Sequence, residues 1–256
     1  AHAPADHPSG EASSEAPEEL AADAASSARA QPAPLGSPSA KAQGRWRYRV
    51  HYGDHQAGNQ VATLDYVLEI EAGRYRLYTE GQAMGLLSLF YRGFFRQNSV
   101  GTVTRSGFSP ERYEERRGER TPRTVLIESS GDTRSALYDG VRREPISPSA
   151  QDRLSIVAQL AWLGAARSEQ LRAAAIEIEL ISVSGSRPLR FAVTRDLMLE
   201  TPSGPRQLTR LRSEDGDGGQ SGSLEIWLSE SGELMPYRIR IEDRSGQVLD
   251  QVLASD

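Results

Sequence analysis

From Arg45 the chain alternates with a period of two. Trp46, Tyr48, Val50 and Tyr52 are interleaved with Arg45, Arg47, Arg49 and His51. Side chains on a strand point alternately to its two faces, so this spacing predicts a half-buried β-strand. The pattern returns in Val61 to Ala72, through Leu64, Tyr66, Leu68 and Ile70, and after Gly73 in Tyr75, Leu77 and Thr79. Such closely spaced runs predict an antiparallel meander. Further strands are expected at 98–104, 111–117, 124–129 and 135–138, punctuated by turn signals at Gly107, Pro110, Gly118, Gly131 and Asp139-Gly140. A second series is expected at 176–183, 189–194, 197–200, 206–212, 224–228, 235–241 and 248–253.

One stretch breaks the alternation. In Ser149 to Ala166 (SAQDRLSIVAQLAWLGAA) the residues Leu154, Ile156, Val157, Leu160, Trp162 and Leu163 wrap most of the way round a helix. A helix apolar on nearly every side belongs inside a protein or a membrane, and this one is too short to span. It is read as a helix buried by β-structure, with Ser149 or Asp152 as N-cap and Gly164 near its end. A second short helix is expected over 168–175. Met84 to Phe95 (MGLLSLFYRGFF) is a further apolar concentration, read as a strand crossing or an apolar loop. Together these elements predict a mainly β protein: a curled antiparallel sheet, or open β-barrel, wrapped around one buried helix.

Residues 1–44 differ in kind. They are rich in Ala, Pro, Ser and Glu with almost no large apolar side chains, so they cannot offset the entropy of ordering. A disordered tail or linker is expected over 1–44 and one β-rich domain over 45–256. A flexible spacer of that length has an end-to-end distance of about 35 Å. The chain opens on Ala with no Met before it, which leads to the expectation of an exported protein whose N-terminal signal or anchor has been removed.

Charge narrows the partners. The net charge is −5, but residues 1–44 hold six acids against Arg29 and Lys41. Subtracting these from 35 acidic and 30 basic residues leaves 29 and 28, close to neutrality. That balance gives no footprint for nucleic acid. No transmembrane segment is expected in this chain. Cysteine is absent, which excludes disulfides and thiolate metal sites.

Candidate chemistry is sparse. Beyond the tail, histidine occurs only at His51 and His55, in the first predicted turn region. His51, Asp54 and His55 are of the types that make a two-histidine, one-carboxylate metal site, but nothing in the sequence fixes their geometry, and no metal or cofactor is expected. No Gly-x-Ser-x-Gly elbow occurs, and no catalytic residue is assigned. Asp215-Gly216-Asp217-Gly218-Gly219 lacks the closing glutamate of a calcium loop and is read as a solvated hairpin loop. Asp152 and Arg153 open the buried helix. Either they are polar gatekeepers of an apolar cavity, or Asp152 is an N-cap and Arg153 pairs with a nearby acid.

The opening strand RYRVHYGDHQAG, the middle SVGTVTRSGFSPERY, the segment SAQDRLSIVAQLAWL and the ending IWLSESGELMPYRIRI together resemble the bacterial family called domain of unknown function 3108. The likeness covers roughly residues 45 to 254. The most specific parts are Ser99-Val100-Gly101 with Gly107-Phe108-Ser109-Pro110, then Gln151 to Ser155, and Trp227 to Pro236. The resemblance implies an exported, periplasmic protein of Gram-negative bacteria and supplies no catalytic residues. More remotely, the expected fold looks like the open-barrel lipoprotein carriers of the bacterial envelope.

The functional expectation is a non-enzymatic binding module for a lipid, a lipidated peptide or another apolar ligand, lined by Trp162, Leu160, Leu163, Phe90, Phe94 and Phe95. The alternative is a structural or interaction scaffold partnered with another envelope protein. Alternation alone does not separate the two, because a filled barrel and a ligand-holding barrel share it.

Overall fold

The computed structural model describes residues 42–84, 94–166, 171, 175–201, 204–214, 222–229 and 233–254. Fifteen strands are found among them: β1 (Ala42–Tyr52), β2 (Asn59–Glu71), β3 (Arg74–Ala83), β4 (Phe94–Thr104), β5 (Gly107–Arg117), β6 (Arg123–Ser130), β7 (Thr133–Tyr138), β8 (Arg142–Ile146), β9 (Gln151–Asp152), β10 (Ala175–Ser182), β11 (Gly185–Thr201), β12 (Gly204–Glu214), β13 (Ser223–Ser229), β14 (Arg238–Glu242) and β15 (Val248–Leu253). The helix α1 (Ser155–Ala166) lies between β9 and β10.

All the strands join one sheet, in the order β8-β7-β6-β5-β4-β3-β2-β1-β15-β14-β13-β12-β11-β10-β9. Two meanders are therefore welded back to back where β1 pairs with β15, from Tyr48 opposite Leu253 to Tyr52 opposite Leu249. Neighbours are antiparallel except β9 and β10. Two hairpins turn on paired positive φ angles, Ala72-Gly73 (49° and 75°) and Asp139-Gly140 (49° and 74°). That geometry matches the right-handed twist of the flanking strands.

The sheet curls without closing its ladder. Its end strands β8 and β9 are consecutive in the chain, and side chains bridge from the first meander to the last strands. Arg123 donates to the Val183 carbonyl at 2.7 Å, Arg142 to the Ser184 carbonyl at 2.8 Å, and the Ser147 N–H to Glu179 at 2.6 Å. Arg134 fastens the β8–β9 connection to the wall, donating to the carbonyls of Pro148 at 2.7 Å and Pro110 at 2.9 Å.

The core fills the concave face. Leu64, Leu68, Leu77, Tyr113 and Val125 from the first meander and Phe191, Leu211, Ile226 and Ile239 from the second belong to one buried cluster with α1. The helix packs on β5 and β13, strands from opposite halves of the sheet, which is why it is apolar around most of its girth. Its Gln159 accepts from the Phe108 N–H at 2.7 Å and donates to the Ser106 carbonyl at 3.0 Å, so the helix is also hydrogen-bonded to the β4–β5 turn.

Several boundaries differ from the sequence expectation. The helix begins at Ser155, because Gln151 and Asp152 extend to pair with β10. β8 was not expected: it reads RREPI, the charged, proline-bearing composition of an edge strand. β11 is one long strand with a bulge between Thr194 and Leu197 where two strands were expected. The last strand but one is shorter than 235–241, starting at Arg238. β1 starts at Ala42, three residues inside the expected tail, of which 1–41 lie outside the described residues. Of the expected second helix, 168–170 and 172–174 lie outside the described residues, and Ala175 opens β10.

Candidate functional site

Strand register carries a row of side chains across the concave face: Trp46 stands opposite Tyr66, Tyr66 opposite Thr79, Thr79 opposite Gln97, and Gln97 opposite Glu115. The row beside it is Leu68, Leu77, Ser99, Tyr113 and Val125. The first is polar in a position where alternation demands apolar residues. Thr79, Gln97 and Glu115 are each at least nine-tenths buried. Such groups need partners, since an unpaired buried polar atom costs free energy comparable to a lost hydrogen bond.

Most of them have partners. The Tyr113 hydroxyl donates to Glu115 at 3.1 Å, Arg117 donates to the other oxygen of that carboxylate at 2.7 Å, and Gln97 donates to the Tyr113 oxygen at 2.5 Å. Tyr66 donates to the Gln251 side-chain carbonyl at 3.0 Å, linking β2 to β15. Burial alone would raise the Glu115 carboxyl, but the Arg117 and Arg153 guanidinium groups outweigh it and hold the group below its ordinary range. Burial pushes the phenols of Tyr66 and Tyr113 upward, so both stay neutral donors. Two groups stand apart. The Thr79 Oγ1 is buried with no hydrogen-bond partner among the described residues. Arg153, half-buried at the mouth of α1, forms no hydrogen bond or ion pair with any described residue; its charge is felt by Tyr66, Tyr113 and Glu115.

Arg153 is held in place by its neighbour. Asp152 is fully buried. One of its oxygens accepts from the N–H groups of Leu154 and Ser155, both at 2.8 Å, and the other from the Ser99 hydroxyl at 2.6 Å. Ser155 returns its Oγ to the Asp152 N–H at 2.9 Å, which closes a reciprocal capping box. Ser99 is itself 2.8 Å from the Tyr75 hydroxyl. Asp152 is thus a helix cap tied to the inner wall, and burial raises its carboxyl above the ordinary range.

The residues picked out in the sequence fall in two places. Leu160, Trp162 and Leu163 lie in the packed core with α1. Phe95 is half-buried at the end of the concave face, next in line to Gly81, with the Arg117 guanidinium 5.8 Å from its ring centre. Phe90 and the Phe94 side chain lie outside the described residues. The polar row went unnoticed in the sequence, although its signal was present: Thr79, Gln97 and Glu115 each occupy the inward phase of their strand.

A second cluster lies on the opposite face, under the β1–β2 turn. Arg238 donates to both oxygens of the fully buried Asp250, at 2.8 and 2.5 Å, and to Asp54 at 3.0 Å, with its guanidinium 4.5 Å from the Trp227 ring centre. The His55 N–H donates to Asp250 at 2.8 Å and its Nδ1 is 3.2 Å from the same oxygen. Asp54, His55 and Asp250 bring their ligand atoms within 4.8 Å of one another, a donor set able to hold a cation. The fit is poor, because Arg238 already donates to both carboxylates and would stand beside the cation. His51, which the sequence grouped with Asp54 and His55, has its ring 6.5 Å from that of His55 and its Nδ1 buried without a hydrogen-bond partner among the described residues. Asp250, from the far end of the chain, was not foreseen.

Fold and site define a β-barrel-like protein, an unclosed curled sheet with a helix inside and a polar row on its concave wall. The chain belongs to the family described as "Protein of unknown function (DUF3108)", whose model matches residues 47–252. It is similar to a crystal structure described as a beta-barrel-like protein of domain of unknown function DUF1849 from Brucella abortus, at 9% identity and a TM-score of 0.52, over 85% of this chain and 97% of that one. That likeness concerns the fold. No curated protein matches the chain. No helix among the described residues is long and apolar enough to cross a membrane.

Proposed function

We propose that this protein is a non-enzymatic, periplasmic binding module that takes an apolar ligand, a lipid or a lipidated peptide, against its concave face. The observation that carries this reading is the concave wall itself: apolar along most rows, crossed by one row of polar groups that the fold does not fully satisfy. Small-molecule sites are mostly apolar with a few placed polar groups, and a wall that served only as packing would gain from hydrophobic residues at Thr79, Gln97 and Glu115. The unclosed seam between the end strands β8 and β9 supports it further, since a sheet joined across its ends by side chains can part without breaking a ladder.

The competing reading is an envelope scaffold with a dry interior. It draws on the close burial of Leu154, Ile156 and Leu160, each at most 1% exposed. A fatty acyl probe titrated into the protein separates the two. The binding reading expects a saturable change in tryptophan fluorescence that Trp162→Phe removes in large part, and lipid in an organic extract of protein taken from its native envelope. No saturable signal from acyl chains, lysophospholipids or lipopeptides, together with an empty extract, would leave the scaffold reading standing.

A further inference from the structure

Arg153 is a charged group at the concave wall that no described residue pairs. A guanidinium carries five N–H donors and no acceptor, and the buried Arg238 donates to Asp250 and Asp54. Arg153 is half-buried and bonded to no described residue. Its backbone is fixed between the fully buried Asp152 and the first turn of α1, so its reach is limited to the polar row it faces.

The carboxylates near it are engaged by other donors. Glu115 is the carboxylate at this end of the wall, and Arg117 already donates to it at 2.7 Å. Both Asp152 oxygens are occupied by Ser99 and the helix N–H groups. The Arg153 guanidinium thus bonds neither carboxylate, and its N–H donors meet no acceptor among the described residues. Independently, the Thr79 hydroxyl, 1% exposed, stands on the same row between Tyr66 and Gln97 and finds no acceptor among the described residues. A lone cation and a buried idle donor on one wall are complementary to an oxyanion, and a guanidinium matches the paired oxygens of a carboxylate or phosphate in particular.

From this juxtaposition we infer that the ligand is an anionic amphiphile, whose carboxylate or phosphate head pairs with Arg153 and accepts from Thr79 while its apolar chain lies along the concave face. This rests on the binding reading above. A neutral ligand would leave Arg153 unpaired, and a cationic one would be repelled.

The test uses the full chain and four amphiphiles of equal chain length, each below its micellar concentration: dodecanoate, dodecyl phosphate, a neutral dodecyl glycoside and dodecyltrimethylammonium. Calorimetric titration is expected to give the two anions dissociation constants about 10- to 100-fold below that of the glycoside, the range of a charge-assisted hydrogen bond, and the cation none. The carboxylate and phosphate arms report which head fits better. Arg153→Gln should erase the anion preference while leaving the glycoside unchanged, and Arg153→Lys should restore part of it. Thr79→Val should weaken the anions several-fold and spare the glycoside, and it decides the matter if Arg153→Gln does not fold. Equal affinity for glycoside and anions, or a Thr79→Val variant that retains the full preference alongside an unaffected Arg153→Gln, would overturn the inference and leave the binding reading intact. Absence of binding by all four would overturn both.

Discussion

The Gln159 side chain occupies the space that a β-carbon on Gly107 would fill. Gly107 has φ +105°, a conformation that L side chains rarely adopt, so two reasons converge on glycine at that turn. The amide then caps the β4–β5 turn from inside, binding the Phe108 N–H and the Ser106 carbonyl. Gln159 is 8% exposed. Its helical neighbours make it look like a tolerant position, yet Gln159→Ala is expected to cost about 2–4 kcal/mol by stranding a buried donor and acceptor. Urea denaturation at unchanged m-value measures it. A loss below about 0.5 kcal/mol would show that water replaces the amide.

Leu160, fully buried, belongs to the core between α1 and the sheet. Leu160→Ala should cost about 2–5 kcal/mol, the transfer energy of the lost atoms plus a cavity. The same denaturation experiment reads it, and a smaller loss would indicate that the curled sheet closes on the gap.

Arg238→Met removes the charge that compensates the fully buried Asp250. A loss of about 3–5 kcal/mol is expected, and Asp250→Leu introduced beside it should recover much of that loss, because the uncompensated charge goes with it. Since Arg238 satisfies the carboxylates, EDTA should leave the wild-type thermal midpoint unchanged. A midpoint shift with chelator that disappears in His55→Ala would replace the ion pair with a metal site at Asp54, His55 and Asp250.

Asp65 sits between Arg47 and Arg45 on the outer face, with its carboxylate bonded at 2.8 and 2.6 Å. The hydrogen bond from Arg47 leads in lowering its pKa from 3.8 to about 2, against an opposing contribution from burial. A depressed pKa means that the stabilisation is fully present above the unfolded value and is lost as pH falls from about 4 to about 2. Both arginines are more than half exposed, so solvent screening reduces the effect to about 1 kcal/mol. Asp65→Asn should flatten that part of the curve of urea midpoint against pH. An unchanged curve would assign the acid sensitivity to other carboxylates.

Much of this protein was written in its local pattern. Period-two alternation in Arg45 to Tyr52 and Val61 to Thr79 specified strands and their inward faces, because that period is fixed by backbone geometry within one strand. The wrapped apolar pattern of Leu154 to Leu163 specified a helix that must be covered on most sides, and Asp139-Gly140 specified a tight turn. What the pattern did not contain was which strands meet. The pairing of β1 with β15, the arrival of Asp250 beside Asp54 and His55, and the alignment of Thr79 with Gln97 and Glu115 all depend on register between segments far apart or folded back on one another. β8 escaped notice because an edge strand has one neighbour to satisfy and tolerates charge and proline. The start of α1 shifted because Gln151 and Asp152 gain a parallel partner in β10 that no local propensity encodes. Arg153 was visible in the sequence as a charge at a helix entrance. Only the curled sheet, by engaging its nearest carboxylates with other donors, decided that it would face the concave wall with no partner among the described residues.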